Sequence, residues 1–130
     1  MRLLLICLGG ALGTGFRYAI SGAMVQWLGP EFPYGTLAVN LLGSFLIGVI
    51  QEVGTTSLLI PDTTRLFLTV GIMGGLTTYS TFSYETVRLM ESAAWHQVWI
   101  NVIGTSTACL AACILGIAGG RMLVGLDGGL

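Results

Sequence analysis

Gly71-Ile-Met-Gly-Gly-Leu-Thr-Thr-Tyr-Ser-Thr-Phe-Ser-Tyr-Glu85 is the stretch that decides how this chain folds. It sits inside a long apolar segment, yet two adjacent glycines precede five serine and threonine residues between positions 77 and 83. That composition makes a poor membrane helix. Non-helical backbone at bilayer depth persists only where it is buried in protein or lines a wet cavity. A break at Gly74-Gly75 frees backbone carbonyls, including those of Gly74 and Thr77, and such oxygens suit a hard cation such as Na⁺. The plainer alternative is a kinked helix whose hydroxyls bond back to its own carbonyls.

Outward from this stretch the chain is strongly apolar. Charged residues make up 8% of it and hydrophobic residues 54%, with a mean hydropathy of +0.86, whereas ordinary soluble domains carry about a quarter charged residues. A soluble fold of 130 residues leaves too much surface exposed to hide that much apolar area, and a lipid bilayer removes the difficulty by acting as the solvent. Four stretches reach the ~20 apolar residues that a spanning helix needs: 3–27, 35–58, 64–90 and 97–120. The reading is an all-α membrane protein, one four-helix domain over residues 1–130, with its third helix broken near Gly74-Gly75. Trp27, Trp95 and Trp99 fall at segment ends, as an aromatic belt requires. Short connections make neighbouring helices antiparallel and place both termini on one side. Met1-Arg2 and the apolar run after them resemble a signal peptide, but the segment continues through Arg17 to Trp27 with no small-residue cleavage site, so it is expected to be retained.

Charge excludes some functions. A net charge of −1 and the absence of lysine argue against a nucleic-acid partner, which needs a basic face. Cys7, Cys109 and Cys113 lie in apolar runs, and His96 is the sole histidine, so neither a disulfide framework nor a metal cluster is expected. Arg2, Arg65 and Arg121 fall on the terminal side and Arg88 near the other. That excess favours cytoplasmic termini and is compatible with insertion in both orientations.

Gly9/Gly13, Gly71/Gly75 and Gly116/Gly120 each form a G-x-x-x-G, and Ala108, Ala112, Gly116 and Gly120 form a longer small-residue stripe. Lipid gives helices no hydrophobic reason to associate, so close backbone approach supplies the attraction. The stripes report tight packing, within the chain or between chains. Four helices of this size leave little room for an enclosed aqueous path, so an ion route needs an interface between subunits.

Several residues carry candidate chemistry. Tyr79 and Phe82 are three apart and point the same way, and the positive edge of an aromatic ring attracts an anion without gripping it. Asn40 offers amide N–H donors to an anion, or bonds to a neighbouring helix. Asn101, Thr105 and Cys109 repeat every four residues and form either a polar track or a packing stripe. Arg17 and Glu85 are the ionisable residues furthest from the segment ends, with Glu52 a third. Intramembrane charge faces a partner or water, which places each in a vestibule or in a pair, an Arg17–Glu85 contact being one arrangement.

These residues match a family. Gly-Gly-Leu-Thr-Thr-Tyr-Ser-Thr-Phe-Ser-Tyr-Glu at 74–85, Gly-Thr-Leu-Ala-Val-Asn at 35–40 and the Gly13…Arg17-Tyr18 pattern resemble the bacterial fluoride channels of the CrcB or Fluc family, over the whole four-helix chain. The resemblance implies an antiparallel, dual-topology homodimer in the bacterial cell membrane, with two fluoride pores and one central Na⁺ that is not transported. It assigns backbone carbonyls of Gly74 and Thr77 to the Na⁺ and Asn40 to the fluoride path. It puts Tyr79 and Phe82 at the two aromatic positions, with Ser80 and Thr81 supplying hydroxyls and Ser83 and Glu85 completing the motif. Asn101 and Thr105 fall on a fourth-helix polar track. Two departures stand out. The first aromatic position, usually Phe, is Tyr79, and the fourth helix lacks the Tyr often found at its start.

The implied function is passive, selective fluoride export, with no enzymatic chemistry and no phosphate-binding loop for ATP. A proton-coupled small multidrug exporter is the alternative, but it needs an acidic residue in its first helix, and residues 3–27 contain Arg17 and no Asp or Glu. A membrane scaffold that transports nothing leaves the hydroxyl-rich break without a purpose.

Overall fold

The computed structural model describes residues 1–128, with side chains through Gly125, and every regular element among them is helical. Five helices follow one another: α1 (Arg2–Leu28), α2 (Tyr34–Thr56), α3 (62–76), α4 (Tyr79–Glu91) and α5 (95–128). Helices α1, α2 and the stretch Trp95–Gly125 of α5 are each long and apolar enough to cross a membrane. The remaining crossing is the α3–α4 pair. Laid end to end at 1.5 Å per residue, roughly 30 residues exceed the ~30 Å hydrocarbon thickness.

The break lies at Thr77-Thr78, just beyond the glycine pair. Thr77 (ψ 156°) and Thr78 (φ −153°, ψ 118°) are extended, while Gly74 keeps helical angles of −62° and −39°. The reason is a division of labour. Gly75 serves close packing: a Cβ there would stand 2.5 Å from the Gly10 carbonyl oxygen and 2.9 Å from the Thr14 amide. The interruption is made instead by Asn40, whose Oδ1 takes the Thr78 amide at 2.8 Å. In an uninterrupted helix that amide would bond the carbonyl of Gly74.

The glycines of the G-x-x-x-G pairs make close contacts within the chain. Gly9 faces Gly71, with 3.0 Å from its hypothetical Cβ to the Gly71 Cα, and Gly13 abuts the Ile72 carbonyl, so α1 lies backbone to backbone on α3. On the other side α2 meets α5 through Gly48, Gly116 and Gly120, with Gly48 2.6 Å from the Cys113 carbonyl by the same measure. Two helices also carry π-helical turns, Phe67–Met73 in α3 and Ile100–Thr105 in α5. A π-turn rotates the residues beyond it relative to a regular helix, and both lie level with the residues described below.

The buried apolar core is small. Val39, Met73 and Leu76 form it, packed by Ile20, Leu46, Ile47, Ile50 and Ile72. Most large apolar side chains face outward, among them Leu110 at 68% and Ile114 at 65% exposure. Such a surface fits lipid or a second protein and not water. Trp27, Trp95 and Trp99 are all exposed near helix ends, where their rings suit the membrane interface.

Candidate ion-binding cavity

The extended pair at 77–78 is held by three sets of bonds. Asn40 clasps Thr78 from both sides: its Oδ1 accepts from the Thr78 amide at 2.8 Å, and its Nδ2 donates to the Thr78 carbonyl at 3.0 Å. Thr78 Oγ1 then caps α4, accepting from the Thr81 amide at 3.2 Å and donating to Thr81 Oγ1 at 3.0 Å, with Ser80 Oγ 3.4 Å away. Thr77 turns back onto α3, its hydroxyl donating to the Met73 carbonyl at 2.9 Å. Thr78 is thus the pivot of the site, a residue that its place in the 74–85 motif does not by itself single out. Its signal is a hydroxyl residue directly before a helical run, the usual N-cap. Thr78→Val keeps the shape and removes the cap. We expect it to destabilise the fold by about 1 kcal/mol, read as a lower unfolding midpoint in detergent; an unchanged midpoint would show that the cap is not needed.

Beside the break lies an open cavity of about 540 Å³. Asn40, Gly43 and Ser44 line it from α2, and Thr69, Met73 and Gly74 from α3. Thr77, Thr78, Tyr79 and Phe82 form the wall at and after the break, and Thr105, Ser106 and Cys109 form the wall on α5. Among the described residues its lining holds an amide and several hydroxyls but no acidic or basic side chain. Asn40 spends one amide proton on Thr78 and retains a second. The Tyr79 and Phe82 rings lie 5.5 Å apart with a tilt of 38°. Tyr79 is 79% exposed and Phe82 only 9%, so the pair has one open and one embedded ring.

The other expected residues sort themselves around this cavity. Ser80 and Thr81 turn their hydroxyls toward Thr78, and Ser83 donates to the Tyr79 carbonyl at 3.0 Å. None of these three lines the cavity wall. Thr105 does, whereas Asn101 is closed off behind it at 1% exposure. Glu85 opens onto a smaller recess with Glu31, Arg88 and Ser92. Arg17 and Glu85 do not meet. The Glu85 carboxylate accepts from the Thr36 hydroxyl, and the ion pairs among the described residues are Arg65–Asp62, Arg88–Glu91 and Arg121–Glu52. The cause is topological: α1, which carries Arg17, packs chiefly on α2 and α3, while α4 packs on the start of α5. Among the described residues Cys7, Cys109 and Cys113 are free thiols, and no His, Cys, Asp and Glu cluster has metal-holding geometry.

Apolar helices that expose their large side chains, with one crossing broken beside a polar cavity, define a multi-pass membrane protein. Comparison with known proteins is consistent with this class. Residues 4–117 match the family model described as CrcB-like protein, Camphor Resistance (CrcB). The chain is 49% identical over 122 residues to the fluoride-specific ion channel FluC of Geobacter sp. (strain M21), covering 94% of this chain and 98% of that one. It is 50% identical, with the same coverage, to the protein of that name from Citrifermentans bemidjiense. The protein of that name from Sorangium cellulosum is also 50% identical, over 92% of this chain and 94% of its own. The chain belongs to the CrcB family, a family of multi-pass cell-membrane channels and not of enzymes.

Proposed function

We propose that this chain conducts fluoride passively out of the cell, as an antiparallel homodimer that holds a structural Na⁺. The observation that carries the reading is the cavity itself. Asn40, which retains an amide proton, and the paired rings of Tyr79 and Phe82 line a space whose described lining holds no carboxylate and no cation. A small, strongly hydrated anion there exchanges water for weak donors, which favours entry without blocking exit. The named function of the relatives supports the same ion. A proton-coupled multidrug exporter needs a buried carboxylate facing its substrate, and none of the described residues lining the cavity carries one.

The break also suits the cation. The Thr78 amide, the ordinary donor to the Gly74 carbonyl, is held by Asn40, and the Thr81 amide, the ordinary donor to the Thr77 carbonyl, is held by Thr78 Oγ1. Both carbonyls therefore lose their helical donors, which leaves two hard oxygen ligands of the kind Na⁺ takes. The Gly74 and Thr77 carbonyls would hold the Na⁺, which would supply a positive charge at the break. Exchanging Na⁺ for a large organic cation is expected to lower the unfolding midpoint in detergent; a midpoint indifferent to Na⁺ removes the ion from the account.

The deciding experiment is efflux from reconstituted liposomes followed with a fluoride electrode. Fluoride loss that is independent of a pH gradient and far exceeds chloride loss is expected. Proton-coupled drug flux, or no flux, would overturn the reading. In the same assay Phe82→Ile is expected to slow fluoride by about tenfold or more while the oligomer stays intact, because isoleucine presents no polarised ring edge. Wild-type flux in that variant would rule out an aromatic wall to the path.

A further inference from the structure

Behind the cavity wall lies a buried polar chain that the reading above leaves without a role. Thr86, one turn past Phe82 on α4, and Asn101 on α5 are 6% and 1% exposed. Thr105 Oγ1 donates to Asn101 Oδ1 at 3.0 Å, and Asn101 Nδ2 donates to Thr86 Oγ1 at 2.9 Å. Thr86 Oγ1 donates in turn to the Phe82 carbonyl at 2.7 Å.

The sense of this chain follows from its end. A backbone carbonyl only accepts, so Thr86 gives its proton to Phe82 and must accept from its other neighbour. That turns the amide nitrogen of Asn101 toward Thr86 and the amide oxygen toward Thr105. Thr105 is one of the residues lining the cavity, and its hydroxyl proton is therefore committed to Asn101 and not to the cavity. A hydroxyl turned this way does not hold an anion. Turning it outward costs the bond to Asn101 and strands a buried amide oxygen.

We infer that Thr86 is a positioning residue of the ion pathway: acting through Asn101, it keeps the Thr105 proton pointed away from the cavity and so keeps anion binding loose. The inference rests on the fluoride reading and adds to it what limits the grip on the ion. Conduction needs weak binding as much as entry. Without the Thr86 oxygen, the Asn101 amide is free to turn and donate to Thr105, and the Thr105 proton then swings to the cavity as an added anion donor.

The test is the fluoride-concentration dependence of flux in liposomes. Thr86→Val is expected to lower the half-saturating fluoride concentration about fivefold, the worth of one neutral hydrogen bond, and to lower the maximal rate with it. Thr86→Ser keeps the hydroxyl and is expected to restore both values. A Thr86→Val protein that is unchanged, or that loses rate without tighter saturation, overturns the inference, since a purely structural defect does not improve binding. Should Thr86→Val fail to fold, the double variant Thr86→Val/Asn101→Leu carries the test, because it strands no buried donor. The double variant is expected to show the same tightening, and wild-type saturation in it would overturn the inference. Absence of fluoride flux in the wild type sinks the channel reading and the inference together; flux with unaltered variants sinks the inference alone.

Discussion

Asn40→Asp is expected to suppress fluoride passage by a hundredfold or more. The side chain reaches the cavity while clasping Thr78, so a carboxylate there changes two things together. It keeps an oxygen for the Thr78 amide but loses the N–H that serves the Thr78 carbonyl, and it sets a negative charge beside the path. Two like charges ~4 Å apart repel by about 4 kcal/mol at an effective dielectric of ~20. Each ~1.4 kcal/mol is a factor of ten in rate, so water and counter-ions can remove about a quarter of the repulsion and still leave a block of roughly a hundredfold. Asn40→Ala separates the two effects: it unpins the break without adding charge. The measurement is initial efflux from liposomes at equal protein density. An aspartate variant that conducts like the wild type would mean that Asn40 only holds two helices together.

Gly13→Leu is expected to leave no folded protein. A Cβ at this position would overlap the Ile72 carbonyl and come within 2.9 Å of the Leu76 amide. Both are backbone atoms of α3, so no side chain can swing aside to make room. Overpacking a core costs about 1–3 kcal/mol even where side chains relax, and a collision with backbone costs more in a fold whose helices cohere by close approach. Gly119→Ala is the control. Among the described residues nothing beyond its own stretch of helix lies within 4 Å of that Cβ, and alanine is the better helix former by about 1 kcal/mol. The fraction of each variant recovered as a monodisperse species in detergent reads the difference. Comparable recovery of Gly13→Leu and Gly119→Ala would contradict the contact of α1 with α3.

Hydropathy and spacing carried far for this chain. The length of each apolar run set the number of crossings, because a bilayer of given thickness admits only helices of that length. The hydroxyl-rich stretch after Gly74-Gly75 marked the irregular crossing, and the structure interrupts it within three residues of that pair. The placing of the break at Thr77-Thr78 was not legible, because it depends on which residue of a different helix captures the amide. Asn40 is 38 residues away in sequence, and no local pattern encodes that meeting. The glycine pair suggests a hinge by composition, whereas Gly75 lies against Gly10 and Thr14 and lets α1 approach.

The chain by itself determined that it is membrane-embedded, that it is built from four apolar segments, and that the third of these is unsuited to remain one helix. Those are properties of composition and period, and any residue order with the same pattern shares them. Only the tertiary structure decided that Arg17 and Glu85 stay apart, that Asn101 is buried behind Thr105, and that Thr86 closes a hydrogen-bond chain on the Phe82 carbonyl. A helix face can be counted from sequence, but its partner cannot. Asn101 and Thr105 lie in the π-turn at Ile100–Thr105 of α5, and the direction of each buried proton follows from the neighbour that packing supplies.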